Sequence, residues 1–200
     1  MQERWRMNKL GFVNFWLYDW EEFPFSEGRL LLRGENGAGK SVTTQSFIPF
    51  MLDGDLRPYR LDSFGSKDRK MSYYLLGEDK EESTGYLYLE FIKPEHRLYR
   101  TLVVGLRARR SSSSVEFWGF CLSDGRRIGA GPEDFALFET KGSQHISLTR
   151  QEVHNRFGDG ENWVERGSDY KQMVNRMLFG CAEMEQYDRL LRLLIQLRKP

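Results

Sequence analysis

Leu30-Leu31-Leu32-Arg33-Gly34-Glu35-Asn36-Gly37-Ala38-Gly39-Lys40-Ser41 is the stretch from which the chain is read. Gly34–Ser41 satisfies the pattern G-x-x-x-x-G-K-S/T in full. Each part answers a chemical need. Glycines let the backbone curl until several N–H groups point into one concave space. A helix opening near Lys40 adds the positive end of its dipole at the same point. In such a loop the lysine, here Lys40, reaches the β- and γ-phosphates, and the hydroxyl of Ser41 ligates Mg²⁺. The expected ligand is a nucleoside triphosphate, ATP before others. Its expected contacts are Glu35, Asn36, Gly37, Ala38, Gly39, Lys40, Ser41 and Val42, with Lys40 also catalytic and Ser41 on the metal.

The flanks supply the context that the pattern requires, a strand before and a helix after. Arg29–Arg33 reads as a short strand whose Leu30-Leu31-Leu32 triplet is buried on both faces. Lys40–Leu52 has helical length and stops at the Asp53-Gly54 turn signal. Upstream, Leu10–Tyr18 reads as one strand, and Pro24 interrupts the segment after it. Downstream, Arg57–Gly77 is basic and aromatic, without a clear assignment. Then come three strands, Gly85–Ile92, Arg97–Arg107 and Val115–Leu122. In the first, Tyr86, Tyr88 and Glu90 alternate with Leu87, Leu89 and Phe91. The region 84–123 is therefore expected as an antiparallel meander, and 149–200 as helical. Thr149 caps Arg150–Arg156 with Glu152 at the capping-box position, and Ser168 caps Asp169–Phe179. In Glu183–Leu197, Tyr187, Leu190, Leu191 and Leu194 recur at helical spacing. The resulting fold class is mixed α/β (α+β), a P-loop NTPase type with an antiparallel meander.

Composition narrows the functional classes. With 40% hydrophobic and 14% aromatic residues the 200-residue chain can build a packed core, so disorder is not the default reading. Thirty basic and 29 acidic residues nearly cancel, so any nucleic-acid contact must come from a local patch. Arg107, Arg109 and Arg110, leading into the serines 111–114 with no acid nearby, are a candidate DNA-backbone patch or a solvated hairpin tip. Cys121 and Cys181 lack paired spacing, and His96, His145 and His154 are scattered, so neither a disulfide framework nor a metal site is expected. No apolar run reaches membrane-spanning length and Met1–Lys9 lacks a signal-peptide core, so a cytoplasmic protein without a membrane partner is expected.

A self-sufficient NTPase also needs a strand of apolar residues ending in an acid that supports Mg²⁺. The nearest match, Phe120-Cys121-Leu122-Ser123-Asp124, is broken by Ser123, and Asp124-Gly125 reads as a turn. Leu87–Glu90 ends in an acid but alternates. The site therefore reads as incomplete, with acid and base supplied from elsewhere.

Val13-Asn14-Phe15, Phe25 and Leu30–Arg33 running into Gly34–Ser41 resemble the start of SMC, Rad-fifty and MukB type proteins. Further stretches resemble the JetC family, the SMC-like subunits of Wadjet anti-plasmid systems: Ser46–Asp53, Leu61–Ser66, Tyr74–Glu78, and Glu185–Asp188 through Gln196–Arg198. The resemblance implies the N-terminal half of an ABC-type ATPase head, leading to a coiled coil, whose C-terminal half carries the signature motif and the acids. It implies ATP and Mg²⁺ as cofactors. Implied partners are that C-terminal half, a second SMC-like subunit closing a head dimer, kleisin and KITE-like subunits, a nuclease subunit, and double-stranded DNA held by its backbone. It implies nucleoid or plasmid association, with ATP-driven DNA loop extrusion or translocation in plasmid defence or chromosome maintenance. Gln196 matches the Q-loop glutamine, catalytic and near the metal; alternatively it is a polar residue at a helix end. Arg69 lies where a cis arginine can reach a phosphate, or in a solvated basic loop. Trp16 replaces a basic residue common in relatives, so Trp16 or Tyr18 either stacks on the base or packs in the core. Two other readings stay open: a compact P-loop kinase, and a non-catalytic nucleotide-binding or scaffold module.

Overall fold

The computed structural model describes residues 4–35, 42–58, 70–158 and 160–196. Strand β1 (Arg6–Phe15) reverses through Trp16-Leu17 into β2 (Tyr18–Pro24). The run Leu10–Tyr18, expected as one strand, is thus a hairpin. Its turn is built from an indole and a leucine, with Trp16 at φ +56 and Asn14 at φ +44, so little turn chemistry marks it.

Strands β3 (Glu82–Lys93), β4 (Leu98–Arg109) and β5 (Val115–Leu122) form the expected meander. The short β8 (Trp163–Val164) adds to β5. The six-stranded sheet has the order β2-β1-β3-β4-β5-β8, and every pairing in it is antiparallel.

Both faces of the sheet are buried, and period-two alternation sorts the side chains between them. Leu87, Leu89 and Phe91 enter one core with Leu10, Phe12, Leu102 and Val104. Among the described residues four helices cover that face. α1 opens as a π-helical turn, Thr43–Phe47, and continues as Ile48–Asp53. α2 spans Met71–Leu76. α4 spans Gly167–Val174 and runs into a second π-helical turn, Asn175–Phe179. α5 spans Met184–Gln196. Tyr86 and Tyr88 point the other way, into a core with Val13, Val103, Trp118 and Phe120. That face is closed by the hairpin β6 (Phe138–Lys141) and β7 (Gln144–Ser147) and by α3 (Arg150–Phe157), through Phe138, Leu148 and Val153. Each large side chain fully buried here contributes about 1.5–3 kcal/mol.

Helix α3 carries the expected capping box: Thr149 Oγ1 accepts from the Glu152 N–H, and the Glu152 carboxylate accepts from the Thr149 N–H at 2.7 Å. Helix α4 departs from expectation. It starts at Gly167, and the Ser168 hydroxyl donates to Asp169 rather than capping the helix. A Cβ on Gly167 would stand 2.6 Å from the Gly54 carbonyl oxygen. Close approach of these two backbones, not a side-chain cap, sets the helix start. On α5 only Tyr187 and Leu191 of the expected apolar face are buried; Leu190 and Leu194 are exposed.

Candidate nucleotide site

Gly34 and Glu35 are described and exposed, and Val42 is buried. Asn36, Gly37, Ala38, Gly39, Lys40, Ser41 and Arg69 lie outside the described residues, as does the side chain of Gln196, whose backbone closes α5. The frame on either side of the loop is described.

Upstream, Ser26 and Arg29 exchange two backbone hydrogen bonds of 2.9 Å around Glu27 (φ +50) and Gly28 (φ +79), a tight reversal. The strand expected at Arg29–Arg33 does not form. Leu31 is 75% exposed, and Leu30 and Leu32 are half-buried. A strand buried on both faces needs neighbours on its edges, and no described strand pairs with this triplet.

Downstream, the helix opens at Val42 and is anchored at once. Thr43 is fully buried, its Oγ1 3.3 Å from the Tyr18 hydroxyl. Phe47 is enclosed by Phe12, Phe15, Trp16 and Tyr74, all edge-on with ring centroids between 5.1 and 6.0 Å away. Such ring pairs add about 0.5–1.5 kcal/mol each beyond area burial. The far end of α1 is held by three devices. Gly54, at φ +65, donates its N–H to Phe50 O. Tyr170 Oη donates to Met51 O at 2.8 Å, and Tyr187 Oη to Leu52 O at 2.6 Å. Burial drives both phenols far above their usual pKa, so they remain neutral donors. The helix that follows the glycine motif is therefore fixed at both ends. Nothing in the sequence pattern pointed to the two tyrosine hydroxyls.

Trp16 and Tyr18 serve the core. Trp16 packs edge-on against Tyr18, Phe47 and Tyr74, and Tyr18 stacks on Phe12 at 4.8 Å.

Both acids weighed as metal supports are engaged by arginines. Glu90 is fully buried and accepts from Arg127 Nε and Nη2 at 2.9 and 2.8 Å and from Asn8 at 2.6 Å. Asp124 accepts from Arg126 Nε at 2.8 Å, and that bond holds its carboxyl below the usual range. His145 is bound to Asp19 at 2.6 Å, and among the described residues no three metal-ligating side chains cluster.

The candidate DNA patch is corrected by its acids. Glu82 bridges Arg107 and Arg109 at 2.6 and 2.7 Å, Glu116 lies 3.7 Å from Arg109, and Glu81 lies 3.5 Å from Arg110. These acids lie beside the arginines across the sheet: Glu82 pairs directly with Arg109, and Arg107 with Glu116.

No protein-family profile matches the chain, and no curated protein does. A solved structure described as "Structural biochemistry of ATP-driven dimerization and DNA stimulated activation of SMC ATPases" aligns with 95% of this chain and 99% of its own. The identity is 20% and the TM-score 0.38. A superposition that loose carries no residue-by-residue correspondence. Among the described residues no helix is long and apolar enough to cross a membrane.

Proposed function

We propose that this chain binds ATP with Mg²⁺ through Gly34–Ser41 and forms the N-terminal half of an SMC-like, ABC-type ATPase head. One observation carries the reading: a complete G-x-x-x-x-G-K-S motif opens directly into a helix that the core clamps from Thr43 to Gly54. In this reading the loop amides from Glu35 to Ser41 and the Val42 N–H cradle the phosphates, Lys40 stabilises charge on the transferring phosphoryl group, and Ser41 ligates Mg²⁺. Gln196 approaches the metal and the γ-phosphate, and Arg69 reaches a phosphate.

The acids that would bind metal and activate water come from a C-terminal head half. Two features support that division. Glu90 and Asp124 are already committed to Arg127 and Arg126. The apolar triplet Leu30–Leu32 lies outside the sheet with Leu31 exposed, as a strand does when its neighbours belong to another segment. The wholly antiparallel pairing of the sheet disfavours a compact kinase, whose P-loop strand sits in a parallel sheet. Head closure on ATP with a second SMC-like subunit, DNA translocation or loop extrusion on double-stranded DNA, and assembly with kleisin, KITE-like and nuclease subunits in plasmid defence follow from the resemblance of the sequence motifs to the JetC family.

The test is nucleotide binding and hydrolysis by the chain alone, by its Lys40→Ala variant, and by the chain mixed with a C-terminal head half. The expected result is ATP binding by the parent, at least about tenfold weaker in Lys40→Ala, with hydrolysis appearing only on addition of the second half. Undiminished binding by Lys40→Ala, or rapid turnover by the chain alone, would overturn the proposal.

A further inference from the structure

A groove of about 700 Å³ lies where β1 begins, β3 ends and β4 begins, walled by the π turn that follows α4. Four cations line it: Arg4, Lys93, Arg100 and Arg176. Other arginines are matched by acids, as Arg107 and Arg109 are by Glu82 and Arg127 by Glu90. Among the described residues no carboxylate lies within 4.0 Å of the groove's four cations. Three of them are held in place. Arg176 Nη2 donates to Asn162 Oδ1 at 2.9 Å. Lys93 Nζ and the Arg100 guanidinium sit 5.0 and 4.7 Å from the centroid of the Trp5 ring, and Arg100 donates to the Met177 carbonyl. The floor and far wall are apolar: Phe91, Met177, Leu178 and Phe179, the last 40% exposed.

We propose that this groove docks an acidic peptide segment of a partner protein, with an apolar side chain between its carboxylates. Like charges gathered in one concavity raise its potential, and anionic groups relieve that most directly. Arginine forks suit carboxylates in bidentate geometry. The apolar floor requires an apolar side chain to cover it, which a phosphodiester backbone does not offer. A duplex is also convex and would leave the concavity unfilled. A single strand stacks its bases on open aromatic faces, whereas Trp5 already carries two cations. π-helical turns occur disproportionately at functional sites, and Asn175–Phe179 supplies four of the lining residues, Arg176 to Phe179.

The test is fluorescence anisotropy with a labelled peptide of glutamates flanking one leucine, its leucine-to-glycine counterpart, and a short labelled duplex DNA. Each is titrated with the parent chain and with the double variant Lys93→Glu/Arg176→Glu, whose unfolding midpoint is measured alongside. The leucine peptide is expected to bind, to weaken about tenfold or more in the charge-reversed variant at unchanged midpoint, and to weaken several-fold on loss of its leucine. Peptide binding indifferent to both changes would overturn the proposal. So would duplex binding that disappears in the variant while the leucine makes no difference, which would assign the groove to nucleic acid. The groove lies at the start of β1, whereas Thr43, where α1 opens, packs on Tyr18 just beyond the end of that ten-residue strand, roughly 30 Å away. Loss of nucleotide binding in Lys40→Ala therefore leaves this expectation untouched.

Discussion

Tyr187→Phe isolates one atom of the frame behind the glycine motif. The ring of Tyr187 is fully buried, and its hydroxyl donates to Leu52 O at 2.6 Å, near the C-terminal end of α1. The last carbonyls of a helix have no intrahelical partner, so the phenol satisfies a group that burial would otherwise orphan. Phenylalanine keeps the ring volume, so no cavity forms and the loss is the hydrogen bond with the desolvated carbonyl left behind. That costs about 1–2 kcal/mol. For a chain of this size each kcal/mol lowers Tm by about 2–4 °C, giving an expected fall of about 2–8 °C. Tyr170→Phe, which frees Met51 O, should behave alike. Because the two hydroxyls hold successive carbonyls of one helix end, the double variant should lose less than the sum of the singles. Thermal and urea unfolding read all three, with Tyr73→Phe as control because Tyr73 is 50% exposed. A Tyr187→Phe protein as stable as that control would refute the clamp, and with it the rigid placement of the helix that receives the loop.

Thr149→Ala removes the cap of α3 and should cost about 1 kcal/mol at neutral pH. The threonine hydroxyl and N–H hold the Glu152 carboxyl below its usual range, so the carboxylate's share of the cap is present above that range and is lost as pH falls through the lowered value; the gap between the unfolding midpoints of parent and variant should narrow in acid without closing, because the bond from the Glu152 N–H to the Thr149 hydroxyl does not titrate. Burial pushes the Cys121 thiol up to about 12, whereas Cys181 is half-buried. Iodoacetamide at pH 8 followed by mass spectrometry should label Cys181 first and Cys121 only on unfolding; equal labelling of the two in the folded chain would contradict the packing of β5.

Elements whose signal is local were legible. The period-two alternation of Tyr86, Leu87, Tyr88 and Leu89 located β3 and both of its faces, and Thr149 with Glu152 located the start of α3 to the residue. Features decided across the fold were not. The β1–β2 turn has almost no turn chemistry, the start of α4 is fixed by Gly54 meeting Gly167, and Glu82 neutralises arginines that lie on the next strand rather than beside it in sequence. Leu30–Leu32 is a different case, because there the local pattern and the observed structure disagree. The triplet has the composition of a doubly buried strand, yet Leu31 stands 75% exposed and no described strand pairs with the segment. Consistent sequences rarely leave such a conflict without a functional reason. Here it lies immediately before the glycine motif in the sequence. Under the proposed function, a second head segment would pair with that triplet and bring the missing acids to the same place.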